Sequence, residues 1–409
     1  MCPPARAVAL FAFDVGSAID LPAAAARLAG SSRATLSTPG TPGTPRMPDW
    51  FQFRPLPLSV RQPVTLPAVA GHSVSGEAEL TLYDFGAVSV TLTIPLPELA
   101  GTTPDPRAIL ALLPLGEALY ENPVLRAAAA ALVEGLVTTL GPAIRKRLVS
   151  ELVEDYTVYL LPSPVAAAAG EDGPTIETFL EAPEFRRAMA QLLAAESAPL
   201  SRQEADDAVA GAVCFGRRDA VVADWAAAMV FGTPTQATGT GDAADGNAAV
   251  LEVLRFANVE LLEMRFMDDR LDAMLDEAYE LQAAGRLGTA GKGVLRRAIT
   301  RLRDVLPGSR SHEVEKLATM QVDAAVLFES VSNALKLVGE PYLARVYRLA
   351  ASRLHLASFE TSIQRKQATL GSIYDKLADS ASSHRMEILE WIVILLIAFE
   401  IVMPILGWK

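Results

Sequence analysis

Glu77-Ala-Glu-Leu-Thr-Leu-Tyr-Asp-Phe-Gly-Ala-Val-Ser-Val-Thr-Leu-Thr-Ile94 decides how the first half of this chain folds. Leu80, Leu82, Val88, Val90, Leu92 and Ile94 alternate with polar or small residues, and Asp84-Phe85-Gly86 separates two β-rich runs. A period of two turns one side of a strand toward a core, so the stretch predicts paired strands with a tight connection.

Upstream, Ala7 to Phe13 reads as a strand, and Ile19-Asp20-Leu21-Pro22 opens an Ala-rich helix with proline in its favoured first turn. Residues 1–30 therefore form a strand–helix segment. Residues 31–48, with their Thr-Pro-Gly-Thr-Pro repeat, cannot bury a core and read as a flexible loop. Downstream, helical periodicity covers Ile109 to Leu119 and Val124 to Ser150. Tyr156 to Leu161 and Val221 to Val230 read as strands, with a helix around Phe185 to Ala195 between them. Strands interleaved with helices make residues 49–235 a mixed α/β domain, and the fold class α+β overall.

Thr233 to Asn247 lacks periodicity, which places a linker at about 236–249. The grammar then changes. Apolar or near-apolar residues recur at Val250, Val253, Ala257, Met264, Met267, Leu271, Met274, Ala278 and Leu281, broken by Glu260. A second series runs from Val314 to Val338, broken by Gln321. Spacings of three and four predict long helices with coiled-coil-like seams, whose stripes serve first to pack helix on helix. After a turn at Gly339-Glu340-Pro341, a third helix from Tyr342 to about Ser380 would run ~55 to 60 Å. Residues 250–386 are thus expected to form a helical hairpin or stalk.

From Trp391 to Trp408 the chain reads Trp-Ile-Val-Ile-Leu-Leu-Ile-Ala-Phe-Glu-Ile-Val-Met-Pro-Ile-Leu-Gly-Trp, with Pro404 inside and tryptophans at both interfaces. That length suits one membrane crossing, placing an anchor at 387–408. Glu400 costs ~2.5 to 3.5 kcal/mol near the bilayer centre. Its eleven Ile, Leu, Val and Phe neighbours return about 3 to 6 kcal/mol, so the balance favours insertion over a buried core helix. A carboxyl in lipid seeks a partner, which makes Glu400 a candidate for helix–helix association and the chain a candidate homo-oligomer. Basic residues from Arg365 to Arg385 precede the run and Lys409 follows it, which places the body on the cytoplasmic side. No signal or transit peptide is read at the start, and no other stretch, Leu125 to Leu140 with its Arg126 and Glu134 included, is read as membrane-spanning.

A net charge of −12 argues against a general electrostatic binder of nucleic acid or anionic lipid. Two cysteines, Cys2 and Cys214, provide no disulfide framework or metal knuckle. His72, His312, His355 and His384 show no metal spacing, so neither metal nor other cofactor is expected, and no catalytic residue is assigned. Gly285 to Gly293 departs from a phosphate loop at Arg286 and at Gly293 and reads as a helix-breaking loop. Gly71-His-Ser-Val-Ser-Gly76 is a poor nucleophile elbow, because its second glycine is one residue late. One local basic cluster, Arg286, Lys292, Arg296, Arg297, Arg301 and Arg303, is either a solvated face or a docking patch for anionic lipid, RNA or a ribosome.

The segments Glu260 to Asp272, Asn333 to Gly339, Tyr342 to Arg348 and Met386 to Ile397, with Asp219 to Val230 and Tyr83 to Val90, resemble the family of required for meiotic nuclear division proteins, whose bacterial members are called YagE-like. The resemblance implies a domain of unknown biochemical activity with a membrane tail, linked in eukaryotes to the mitochondrial inner membrane and to support of mitochondrial translation as an oligomeric scaffold. For an Ala-rich chain with a bacterial look, it implies a single pass in the plasma membrane with the bulk cytoplasmic, the mitochondrial inner membrane being the alternative. The expected function is a tail-anchored scaffold with an unknown protein partner. The competing expectations are an enzyme using Asp219 or Asp224 beside Trp225, and an RNA- or ribosome-docking module.

Overall fold

The computed structural model describes residues 5–29, 35–37, 55–166, 173–232, 243–290, 322 and 341–405. They fall into two compact units, one of residues 1–266 with 329–359 and one of 267–328 with 360–409.

The first unit is built on an eight-stranded sheet. Its strands are β1 (Arg6–Asp14), β3 (Thr35–Ser37), β4 (Leu58–Pro63), β5 (Glu77–Leu82), β6 (Ala87–Pro95), β8 (Val153–Leu161), β9 (Ala220–Ala223) and β10 (Ala227–Phe231), in the order β3-β4-β5-β6-β1-β8-β10-β9. All neighbours are antiparallel except β8 and β10. The predicted hairpin is β5–β6, turning through Tyr83 to Gly86. Gly86 has φ +108°, and a Cβ there would lie 1.8 Å from the Gly16 carbonyl oxygen, so the turn admits no side chain. The two-stranded ribbon of β2 (Ala18–Ile19) and β7 (Ile144–Arg145) closes that corner.

One face of the sheet is apolar. Ala7, Ala9, Phe11 and Phe13 of β1 and Val88, Val90, Leu92 and Ile94 of β6 lie buried there under α1 (Leu21–Ala29) and α4 (Pro123–Leu140). By length and hydropathy Pro123 to Ala143 is apolar enough to cross a membrane, contrary to what its sequence suggests. Packing makes it a core helix: Leu125, Ala129, Val133, Leu136, Val137 and Leu140 form one buried stripe. This helix was expected to reach Ser150 but ends at Leu140, because Gly141 takes φ +51° and Pro142 cannot continue the ladder. Val221 to Val230 is likewise two strands, broken at Asp224-Trp225-Ala226.

The other face lies under the first part of α8 (Ala243–Ala290) and is polar toward β5 and β6. Arg255 of α8, 2 % exposed, donates to Thr81 Oγ1 at 2.6 Å and pairs with Glu252 at 3.1 Å and Glu79 at 3.4 Å. Asn258 donates to the Glu154 carbonyl at 3.4 Å. Glu263 is buried beside Asp14, and burial first, then the Asp14 charge, pushes its carboxyl well above the usual range. Glu260, which breaks the apolar series in sequence, is buried and accepts from Tyr347 Oη at 2.6 Å, so the break is a polar contact within the core. The linker expected at 236–249 is in part this helix: residues 243–249 open α8, and 236–242 lie outside the described residues.

Helices α2 (Pro106–Leu110), α3 (Leu113–Leu119), α5 (Ile176–Glu181), α6 (Pro183–Leu193), α7 (Arg202–Val209) and α9 (Pro341–Arg353) complete this unit. The third long helix predicted from Tyr342 is interrupted at Leu354-His355, where His355 takes φ +55°. Beyond it α10 (Leu356–Ile405) is unbroken through 50 residues, ~75 Å at 1.5 Å each.

In the second unit α8 and α10 continue as partners. Met267, Leu271, Met274 and Ala278 are buried with Ile363, Leu370 and Ile373, and Lys366 Nζ bridges Asp268 and Asp272 at 2.7 and 2.6 Å. Gly285 and Gly288 fall inside α8, so the expected helix-breaking loop does not begin before Ala290. The series from Val314 to Val338 lies outside the described residues, and the 31–48 loop is described only at β3.

Candidate functional site

Parallel strands β8 and β10 start out of step. Ala227 pairs with Thr157, so residues Val153 to Tyr156 of β8 have no strand beside them on that edge. A cleft of about 560 Å³ opens there. Its rim is the β9–β10 turn, which is fixed at every step. Asp224 N–H donates to the Ala227 carbonyl at 2.8 Å, Trp225 N–H donates to Asp224 Oδ1 at 2.9 Å, and Tyr156 Oη donates to the Asp224 carbonyl at 2.9 Å. Trp225 is thereby held 59 % exposed, edge-to-face with Tyr120 at 6.1 Å. An indole kept in water by so rigid a turn is available to a ligand.

The floor is charged but largely internally matched. Arg126 Nη2 donates to Asp155 Oδ1 at 3.0 Å, and Arg265 pairs with Glu154. Glu154 is buried, and that burial raises its carboxyl above the usual range even though Arg265 and Arg126 pull it down. Arg353 donates to the carbonyls that end α7, at 2.5 Å to Asp207 and 2.6 Å to Ala210. Burial first, then the Glu121 and Asp155 charges, push the Tyr120 phenol up.

The two aspartates expected to serve an enzyme are both committed to the backbone. Asp224 holds the turn just described. Asp219 accepts from Phe215 N–H at 3.0 Å and Gly216 N–H at 2.8 Å, and burial raises its carboxyl despite those bonds. Cys214 is a half-buried thiol that burial pushes up to about 11, unsuited to nucleophilic work. The Gly71 region is a tight turn in which Val69 and His72 exchange backbone hydrogen bonds, with no helix after it. Among the described residues no group of three His, Cys, Asp or Glu side chains is placed to hold a metal.

Trp391, Glu400 and Pro404 fall on α10, and Arg286 falls on α8. Trp408, Lys292, Arg296, Arg297, Arg301 and Arg303 lie outside the described residues. Sequence reasoning named Trp225 but missed Tyr120, Glu121, Glu151 and Arg353 as its companions in the cleft. They come from three separate stretches of chain, the end of α3, the approach to β8 and the end of α9, and no spacing links them.

Fold and cleft together define a mixed α/β domain on a mostly antiparallel sheet, with an open site where its one parallel pair begins. The chain belongs to the family described as Uncharacterized protein MJ0711, N-terminal domain, whose model matches residues 4–237. That match spans the sheet and the Trp225 rim, and stops short of the helices that follow. Neither a curated protein nor a solved structure matches the chain.

Proposed function

We propose that this is a membrane-anchored binding scaffold, in which the α/β body engages a ligand or partner and the apolar end of α10 holds it at a bilayer. The observation that carries the reading is the exposure of Val393, Ile394, Leu396 and Ile397, each 51–62 % accessible, within the apolar run from Trp391. Large aliphatic side chains gain about 1.5 to 3 kcal/mol each when removed from water, and a hydrocarbon phase provides that environment. The resemblance to the required for meiotic nuclear division family supports the same arrangement, with the bulk cytoplasmic at a bacterial plasma membrane or, alternatively, at the mitochondrial inner membrane. Glu400 within the run supports self-association through that helix.

Alkaline carbonate extraction of membranes from cells expressing the full chain tests this. The wild type is expected to stay in the pellet, and Ile394→Lys with Ile397→Lys to move it to the supernatant. Release of the wild type by carbonate would overturn the anchor. Blue-native gels of Glu400→Gln are expected to show a smaller species than wild type. An enzyme reading, drawing on Asp219 or Asp224 beside Trp225, ranks second, since both carboxylates are occupied by backbone donors. RNA or ribosome docking rests on the basic cluster of the sequence alone.

A further inference from the structure

We infer that the cleft takes a small organic cation, an alkylamine carrying one or more ammonium groups. Three helices end at it: α3, α6 and α9 finish at Leu119, Leu193 and Arg353. Each chain then turns through a left-handed residue in the cleft wall, Glu121 at φ +47°, Ala195 at +51° and His355 at +55°. The carbonyls at these ends are largely taken by the chain itself, Leu119 by Asn122 N–H, Gln191 by Glu196 N–H, Leu192 by Ala195 N–H and Ser352 by His355 N–H, so the endings shape the wall and its charge comes from side chains.

Arginines 126, 265 and 353 are already matched by Asp155, by Glu154 and by the carbonyls of α7. Glu121 and Glu151 line the same space, are exposed, and form no ion pair among the described residues. The edge-to-face pair of Trp225 and Tyr120 supplies the aromatic surface over which an ammonium is held best, indole being the strongest partner. Among the described residues no ligand cluster is placed to hold a bare metal ion, and 560 Å³ lies in the range of about 300 to 1,000 Å³ used for small molecules.

This inference rests on the reading of the body as a binding module and is independent of the anchor. Isothermal titration of the detergent-solubilised full chain with spermidine, choline and citrate tests it. Saturable binding of spermidine or of choline is expected, with citrate giving none. Trp225→Ala, and Glu121→Gln with Glu151→Gln, should each weaken binding by about tenfold or more, while Trp225→Phe retains part of it. Thermal melts of each variant separate lost binding from lost folding. The inference is overturned if neither amine binds, if citrate binds in their place, or if folded Trp225→Phe, Trp225→Ala and the double glutamine variant all bind as wild type. Amine binding by a chain that carbonate releases would sink the anchor and leave the site standing, and the reverse result would do the opposite.

Discussion

The two faces of the sheet are equally buried but held by different forces. On one face Phe11 and Val90 meet α4 through hydrocarbon alone. On the other, Thr81, Ser89, Thr91 and Glu154 are buried beneath an α8 that brings Arg255, Asn258 and Glu263. Apolar packing is tolerant of small shifts, whereas hydrogen-bonded charges in a low-dielectric space fix one register and penalise every other. The apolar face therefore supplies most of the stability, and the polar face sets where α8 lies.

The largest effect should come from the apolar face. Phe11→Ala removes a side chain 1 % exposed at the centre of β1 and should cost about 4 kcal/mol in denaturant titration. A loss below about 1 kcal/mol would show that this face collapses around the cavity, and would level the contrast.

Arg255→Ala tests the other face and should cost about 3 kcal/mol, because Glu252 and Glu79 are left without their shared partner. The cost should shrink in Arg255→Met with Glu252→Leu, where the more buried carboxylate goes with its partner and only the partly exposed Glu79 is left. If the double variant is as unstable as Arg255→Ala, the polar face contributes energy of its own beyond setting position.

Glu263→Gln gives a smaller effect with a definite pH signature. The folded-state pKa of Glu263 lies above its unfolded value, so the folded state holds a proton that the unfolded state releases. Stability contributed by that proton is complete below the unfolded value of about 4.5 and is lost as pH rises through the folded value. The glutamine variant should therefore match wild type at low pH and melt higher at pH 7, by about 2 to 4 °C. Parallel melting curves from pH 5 to pH 8 would show that Glu263 carries no such load.

The same contrast explains what could be read in the sequence. The hairpin, β1 and the packed stripe of α8 were legible because a period of two or of 3.6 depends only on neighbours along the chain. The alternation in Glu77 to Ile94 located the apolar face correctly but gave no sign that Thr81, Ser89 and Thr91 were also buried, since their cover begins about 150 residues later. Glu260 looked like an interruption because Tyr347, its donor, lies 87 residues away. The cleft was illegible for the same reason: the strand offset at Thr157 and three helix endings make it, and each is a tertiary fact.

The smallest expected effect bears on how well the polar face is matched. Ser89 Oγ and Thr91 Oγ1 are buried and have no hydrogen-bond partner among the described residues, although Arg255 satisfies Thr81 on the neighbouring strand and Asn258 reaches Glu154 two strands away. A buried hydroxyl without a partner keeps its desolvation cost and returns nothing, while a methyl of the same shape avoids it. Thr91→Val should then be neutral or stabilising by up to about 1 kcal/mol, read from the denaturation midpoint at unchanged slope. Thr81→Val, at the hydroxyl that Arg255 does use, should destabilise. Opposite signs for two threonines on adjacent strands of one face would mean that α8 is located by a few specific contacts; equal losses would mean that the whole polar face is hydrogen-bonded and acts as one network.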